Sequence, residues 1–188
     1  MATKIYLVRH ARPDFSIHDD FLRPLSSQGL MDRKKVTDFL MDKNISKVYS
    51  SPYKRAIDTI EHFAEQSQLS IQIIDDFRER KVSDRWIEDF NSFCRNQWSD
   101  FEYKLENGES LSEVQKRNIQ VLKMLIKKDD GDNIIIGSHG TAISTVLHYF
   151  DNRFNYHDFE RIKNIMPFIV CLTFNGDVLN SIDEYLFE

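Results

Sequence analysis

Only two cysteines, Cys94 and Cys171, occur in 188 residues. That is too few for a disulfide framework and excludes the small secreted scaffolds that rely on one. A basic excess is missing as well: 25 Lys and Arg stand against 30 Asp and Glu, a formal charge of -5. Such a balance argues against a nucleic-acid binder, whose footprint is basic, so any attraction for an anion has to come from a local cluster of cations. No apolar run approaches the length that spans a bilayer, and no basic leader with an apolar stretch behind it opens the sequence. Repeats, low-complexity tracts and interdomain linkers are also lacking. With 41% hydrophobic and 29% charged residues, the expectation is a single cytoplasmic domain over residues 1–188, with a substantial core and neither a nucleic-acid nor a membrane partner. Oligomeric state is not legible in the sequence.

What is present is an alternation of strand and helix signals. Lys4-Ile5-Tyr6-Leu7-Val8 reads as a buried strand of a parallel sheet, which Pro13 prevents from continuing. Ser26 is a plausible helix N-cap, followed by Leu30, Val36, Phe39 and Leu40 at helical spacing. Ile45 to Ser50 is a second strand, Pro52 suits the first turn of a helix, and Tyr53 to Gln66 carries Ala56, Ile60, Phe63 and Ala64 on one face. Ile71 to Ile74 is a third strand. Ser110 and Glu113 have capping-box spacing at the head of a helix running to about Lys127. Ile134-Ile135-Ile136 is again a buried strand, with a helix from His139-Gly140-Thr141 to about Phe150 behind it. Met166 to Phe174 and Val178 to Tyr185 pair through a hairpin at Asn175-Gly176. This pattern predicts an α/β fold, with a mostly parallel central sheet flanked by helices on both faces.

Residues 75–108 interrupt the alternation. They are charged and rich in aromatics: Phe77, Trp86, Phe90, Phe93, Trp98, Phe101 and Tyr103. They are expected to form a mostly helical, lid-like insertion over the sheet edge that holds the active site, closed by Asn107-Gly108. The plainer reading of most of these rings is a satellite core beneath the insertion.

Three strand ends carry the chemistry. The first strand ends in Arg9-His10, the second in Ser50-Ser51 with Arg55 one turn into the next helix, and the strand at Ile134 ends in Ser138-His139-Gly140. A parallel sheet aligns these carboxyl ends on one edge, where open α/β sheets place ligands. Two arginines and two histidines converging there suit a tetrahedral anion, of which phosphate is the commonest. Arg pairs bidentately with phosphate oxygens and stays charged at working pH. Singly, each residue has a plainer role: Arg9 and Arg55 as surface cations, His10 and His139 as satisfied polar groups. His18, His62, His148 and His157 match no motif.

Taken in order, the motifs resemble the histidine phosphatase superfamily, which includes the cofactor-dependent phosphoglycerate mutases. Leu7-Val8-Arg9-His10-Ala11 is similar to its signature, with Ala11 in a place usually held by Gly. Ser50-Ser51-Pro52-Tyr53-Lys54-Arg55-Ala56 resembles its second motif, Phe77-Arg78-Glu79-Arg80 the segment with the acidic residue, and Gly108-Glu109-Ser110 a later helix-opening element. Ser138-His139-Gly140 looks like the second histidine motif.

The resemblance implies a metal-independent phosphomonoester hydrolase, without cofactors, acting on a small-molecule phosphate ester. His10 is then the nucleophile, forming a phosphohistidine, and its other ring nitrogen should donate to a backbone carbonyl. Arg9, Arg55 and His139 neutralise the phosphoryl oxygens, with Gly140 beside them in the substrate site. Glu79 serves as proton donor and then acceptor, although Asp75, Asp76 and Glu88 lie close and ordinary solvated charge also explains it. The methyl of Ala11 is expected to alter the entrance without abolishing chemistry.

Competing readings are a mutase that returns the phosphoryl group to substrate, a metal site built from His10, His139 and Glu79, and an inactive phospholigand- or protein-binding domain. Val82 stands where the mutases usually keep a Gly. The metal site would lack the i, i+4 histidine spacing and leave both arginines idle. Nothing in the motif residues supports the inactive domain. Arg12, Arg23, Arg80, Lys81 and Arg85 are candidates for a second anionic group on the substrate; the insertion's aromatics are candidates for an apolar leaving group.

Overall fold

Ile5 to Val8 are all buried because both faces of their strand are covered. The computed structural model describes residues 2–85 and 87–187, so the expectation for Trp86 lies outside the described residues. The strand is β1 (Thr3–Arg9), and the chain continues through α1 (Ser27–Leu40), β2 (Lys47–Ser50), α2 (Lys54–Gln66) and β3 (Ile71–Ile73). A single 3-10 turn (Asp75–Phe77) leads to α3 (Phe90–Ser99) and α4 (Leu111–Lys128). Then come β4 (Asn133–Ser138), α5 (Gly140–Phe150), α6 (Tyr156–Ile162), β5 (Phe168–Asn175) and β6 (Val178–Leu186).

The strands form one sheet in the order β3-β2-β4-β1-β5-β6. Strand periodicity sorts the core into two layers. Ile5, Leu7, Ile134, Ile136 and Val170 face α4 and α5. Tyr6, Val8, Val48, Ile135 and Ile169 face Val36 and Leu40 of α1 and Ile60 and Phe63 of α2. Helices therefore cover both faces, as the alternation predicts. The sheet is mixed rather than simply mostly parallel: β3–β2, β2–β4 and β4–β1 pair parallel, whereas β1–β5 and β5–β6 pair antiparallel. The turn between β5 and β6 uses Gly176 at φ +55 and is far too short for the crossover a parallel pair needs.

Local differences have identifiable causes. Leu30 is exposed, because the buried face of α1 is Gly29, Val36, Thr37 and Leu40. Pro52 precedes α2 rather than opening it, since the Tyr53 N–H donates to Ser51 Oγ at 3.2 Å and turns the chain first. The insertion is less helical than its composition suggests. Beyond the 3-10 turn, only α3 is helical among the described residues, and the charged run 78–85 lacks the apolar periodicity to form a helix. Phe93 and Cys94 of α3 pack on Phe159 of α6, with Trp98 and Tyr103 against them, a satellite core; Phe77 joins the main core instead.

The entry into α1 is clamped to the segment after β1. Ser26 donates from both N–H and Oγ to the Arg12 carbonyl at 3.0 Å, and its Oγ accepts the Gly29 N–H at 3.1 Å. A Cβ at Gly29 would stand 2.2 Å from that carbonyl oxygen. Gly29→Ala therefore has to force backbone apart and should lower stability by about 1–3 kcal/mol. The expected readout is a lower urea midpoint at unchanged slope; an unaltered midpoint would contradict this packing.

Candidate active site

The sheet register aligns the three predicted strand ends. Arg9 lies opposite Ser138 and Ser50 opposite Gly137. One residue further, His10 N–H donates to Ser138 O at 3.1 Å and Ser51 N–H to Gly137 O at 2.8 Å. The ladders thus carry His10, Ser51 and His139 off the sheet side by side. The two imidazole centroids are 5.3 Å apart, and the Tyr53 ring lies 5.1 Å from His139.

His10 is held in one tautomer. Its Nδ1 lies 2.8 Å from the Ala11 carbonyl oxygen, which can only accept, so the hydrogen is on Nδ1. The lone pair is left on Nε2, where Arg55 Nε–H donates at 3.3 Å. Burial, then the positive charges of Arg55 and Arg9, hold this imidazole well below its ordinary range and hence neutral. Ala11 itself is fully buried, its N–H donating at 2.9 Å to Thr59 Oγ1 on α2. Its methyl has no surface at the cleft, so the expected change in the entrance does not occur.

Arg9 spends its donors on backbone carbonyls: Nη1 on Ile162 O at 2.8 Å and Ile165 O at 2.9 Å, Nη2 on Lys163 O at 2.8 Å. Burial lowers it to about 10, still charged at neutral pH. A Cβ at Gly140 would approach the Arg9 guanidinium carbon to 3.0 Å, so the glycine is what lets α5 begin against that group. Arg55 donates from Nη1 to the Asp20 carbonyl at 2.5 Å and pairs with the Asp20 carboxylate at 3.2 Å.

His139 is the N-cap residue of α5 and is completely buried. Its Nε2 shares a hydrogen with Ser51 Oγ over 2.7 Å, and burial and Arg55 keep it well below its ordinary range. Its Nδ1, like Arg9 Nε, is buried without a hydrogen-bond partner among the described residues. Glu79 sits at the other side of the same helix start. It accepts the N–H groups of Thr141 at 3.1 Å, Ala142 at 3.2 Å and Arg80 at 2.8 Å, a carboxylate placed on the positive end of α5.

Sequence reasoning missed the residues behind Glu79. Arg117 on α4 donates to the carbonyls of Asp76 (2.6 Å), Arg78 (2.8 Å) and Glu79 (3.3 Å). It also binds both carboxylate oxygens of Glu109, at 2.9 and 3.1 Å. Burial pushes the Glu109 carboxyl up, but the Arg117 contacts and the Lys81 N–H outweigh it and leave the group below its ordinary range. No local pattern marks a lone Arg in a charged helix. The helix α6, whose last carbonyls receive Arg9, was also missed, although Asn155 and Asp158 carry a capping box that could have revealed it.

Of these groups Arg9, Arg55, Glu79 and Gly140 border a cleft of about 430 Å³, whose lining cations are Arg9, Arg23, Arg55, Arg80 and Lys163 and whose carboxylates are Asp20 and Glu79; His10 and His139 are buried behind it. The insertion contributes Glu79, Arg80, Val82, Phe90 and Asn91 to it. Of the other cations weighed for a second anion, Arg12, Lys81 and Arg85 do not line it. His10, His139 and Glu79 are not grouped as metal ligands: among the described residues no three His, Cys, Asp or Glu are so placed.

Two buried neutral imidazoles have a consequence for stability. In the unfolded chain they protonate normally near pH 6.5, so below that pH the unfolded state binds protons the folded state refuses. Stability should fall as pH drops through this range. The protein carrying His10→Gln and His139→Gln should lose less between about pH 7.5 and about pH 5.5, by up to roughly 1.4 kcal/mol per pH unit per imidazole below 6.5. Urea titrations at the two pH values measure it, and equal losses in both proteins would contradict neutral burial.

Residues 5–179 match the family model described as histidine phosphatase superfamily (branch 1). The uncharacterized phosphatase PhoE of Bacillus subtilis is 27% identical over 149 residues, covering 77% of this chain and 76% of PhoE. Phosphoserine phosphatase 1 of Hydrogenobacter thermophilus is 28% identical over 153 residues, covering 72% of this chain and 70% of its own. Among solved structures, YhfR of Bacillus stearothermophilus superposes with a TM-score of 0.79 at 18% identity, over 95% of this chain and 94% of that one. Among the described residues no helix is long and apolar enough to cross a membrane. The chain belongs to the histidine phosphatase superfamily, branch 1.

Proposed function

We propose that the protein hydrolyses phosphomonoesters of small molecules through a phosphohistidine on His10. The observation that carries this reading is the fixed tautomer: Nδ1–H is tied to the Ala11 carbonyl and the lone pair of Nε2 lies under Arg55. A neutral imidazole with one free lone pair, buried among arginines, is the electronic form a nucleophile at phosphorus requires.

In the first half-reaction, His10 Nε2 forms a bond to phosphorus while the bond from phosphorus to the leaving oxygen breaks. Glu79 supplies the proton to that oxygen. In the second, water attacks phosphorus, its proton goes to the Glu79 carboxylate, and the N–P bond breaks. The Arg55 Nε–H that faces Nε2 can transfer its hydrogen bond to a phosphoryl oxygen as the N–P bond forms. Arg9 Nε and His139 Nδ1, two of the buried atoms without partners among the described residues, are further hydrogen-bonding positions for those oxygens. Fixed positive charge of this kind is the main source of catalysis in phosphoryl transfer, and the mechanism needs no metal. The relatives named as phosphatases, one for phosphoserine, are consistent with this class of reaction.

Purified protein should release phosphate from an aryl phosphate at mildly acidic to neutral pH with a chelator present. His10→Ala should lower turnover by about a thousandfold or more. Loss of activity on chelation, or turnover surviving in His10→Ala, would overturn the proposal. Isomerisation of phosphoglycerate outpacing phosphate release would turn the assignment to a mutase.

A further inference from the structure

One cleft cation has no part in the phosphoryl chemistry. Arg80 is 5% exposed, lines the cleft next to Glu79, and has no carboxylate partner among the described residues. Its guanidinium is supported by neutral groups. Nη1 donates to Gln97 Oε1, Nη2 lies 3.8 Å from Cys94 Sγ, and the rings of Phe93 and Phe90 lie 5.1 and 5.6 Å from its centre. Burial raises the Cys94 thiol, which keeps it an uncharged neighbour. Gln97 cannot turn away, because its amide nitrogen is spent on the Tyr103 and Glu109 carbonyls, both at 2.9 Å. Arg80 Nε remains buried without a hydrogen-bond partner among the described residues. A buried guanidinium held by neutral acceptors keeps its full charge for something else.

The neighbours indicate which part of a substrate that is. Glu79 marks the position of the leaving oxygen, so Arg80, one residue on, belongs to the leaving-group side. Lys163 shares this end of the cleft: its carbonyl takes Arg9 Nη2, and its ammonium reaches Glu160 at 2.7 Å and Asn91 at 3.3 Å. Asn91 and Asn164 line the same cleft. Arg23 is tied to Asp20 at 3.2 Å and to the Ile17 carbonyl at 2.7 Å, and Lys163 is ion-paired with Glu160, so Arg80 alone of the three has no carboxylate among the described residues. Asp20 and Glu79 in the cleft and Glu160 on Lys163 offset three of the five lining cations, so the case for a second anion rests on Arg80, which none of these carboxylates meets.

We infer that the leaving group of the substrate carries a second anion, a carboxylate or a phosphate, bound by Arg80 and Lys163. This rests on the phosphatase reading and names the class of ester within it. It also separates Arg80 from Arg12, Lys81 and Arg85, which composition alone could not.

The test compares three esters of one length: propyl phosphate, the phosphate ester of 3-hydroxypropanoate, and propane-1,3-diol bisphosphate. The wild-type protein should favour one of the anionic esters over propyl phosphate by about ten- to a hundredfold in kcat/KM, as a charged hydrogen-bonded contact warrants. The favoured member identifies the anion. In Arg80→Gln that ratio should collapse toward one, and in Lys163→Gln it should fall severalfold. Equal kcat/KM for all three esters in the wild type, or a ratio retained in folded Arg80→Gln, overturns the inference. Should Arg80→Gln fail to fold, an undiminished ratio in Lys163→Gln overturns it equally. Dissociation constants measured on His10→Ala separate the two claims. Preferential binding of an anionic ester that wild-type protein never hydrolyses contradicts only the phosphatase reading. Turnover of propyl phosphate without any preference contradicts only the second anion.

Discussion

Arg9 must be buried for this cleft to exist, and a buried guanidinium needs its donors met. Acidic partners would satisfy it and cancel its charge. Here the partners are the carbonyls of Ile162, Lys163 and Ile165 at the end of α6, which accept hydrogen bonds without contributing a negative unit. The same solution recurs with Arg80 on the Gln97 amide, and in part with Arg55, which uses the Asp20 carbonyl besides its carboxylate. A chain of net charge -5 thereby holds a concentrated positive field in one place. Burial of unpaired charge is costly, and the cost is offset by dipoles already built into the fold.

That requirement links distant parts of the chain. The α6 helix exists at the right place because the satellite core of Phe93, Cys94 and Phe159 joins it to the insertion. Gly140 allows α5 to start against Arg9, and the exposed amides of that start then take the Glu79 carboxylate. Arg117 and Glu109 hold the backbone of residues 76–81 from the opposite side. Glu79 and His10 are thus fixed by separate scaffolds, α4 and α5 for the first and the β1–β4 ladder with Thr59 for the second. Displacing either one need not displace the other.

Much of this was legible beforehand because it depends on local rules. Capping at Ser26 and at Ser110 with Glu113, the triple isoleucine of β4, and a hairpin at Gly176 are short-range signals, and each is found in the structure. The convergence of Arg9, His10, Arg55 and His139 followed from a parallel sheet having one carboxyl edge. What escaped depends on tertiary contact. Arg117 looks like a surface polar residue until residues 76–79 fold against it, and Gln97 until its amide meets Arg80, Tyr103 and Glu109. Leu30 carries the right periodicity and still faces solvent, since the close approach of Gly29 to Arg12 sets the helix rotation. The residues behind Glu79 are the ones no short motif encodes.

The central claim is that His10 carries the phosphoryl group. Rapid quench into base after mixing with an excess of a labelled phosphate ester, followed by peptide mapping, examines it directly, because phosphohistidine survives base and is lost in acid. The account predicts label retained on the peptide containing His10, stable to base and released by acid. Label on another residue, or hydrolysis with no labelled protein at any time, would contradict it.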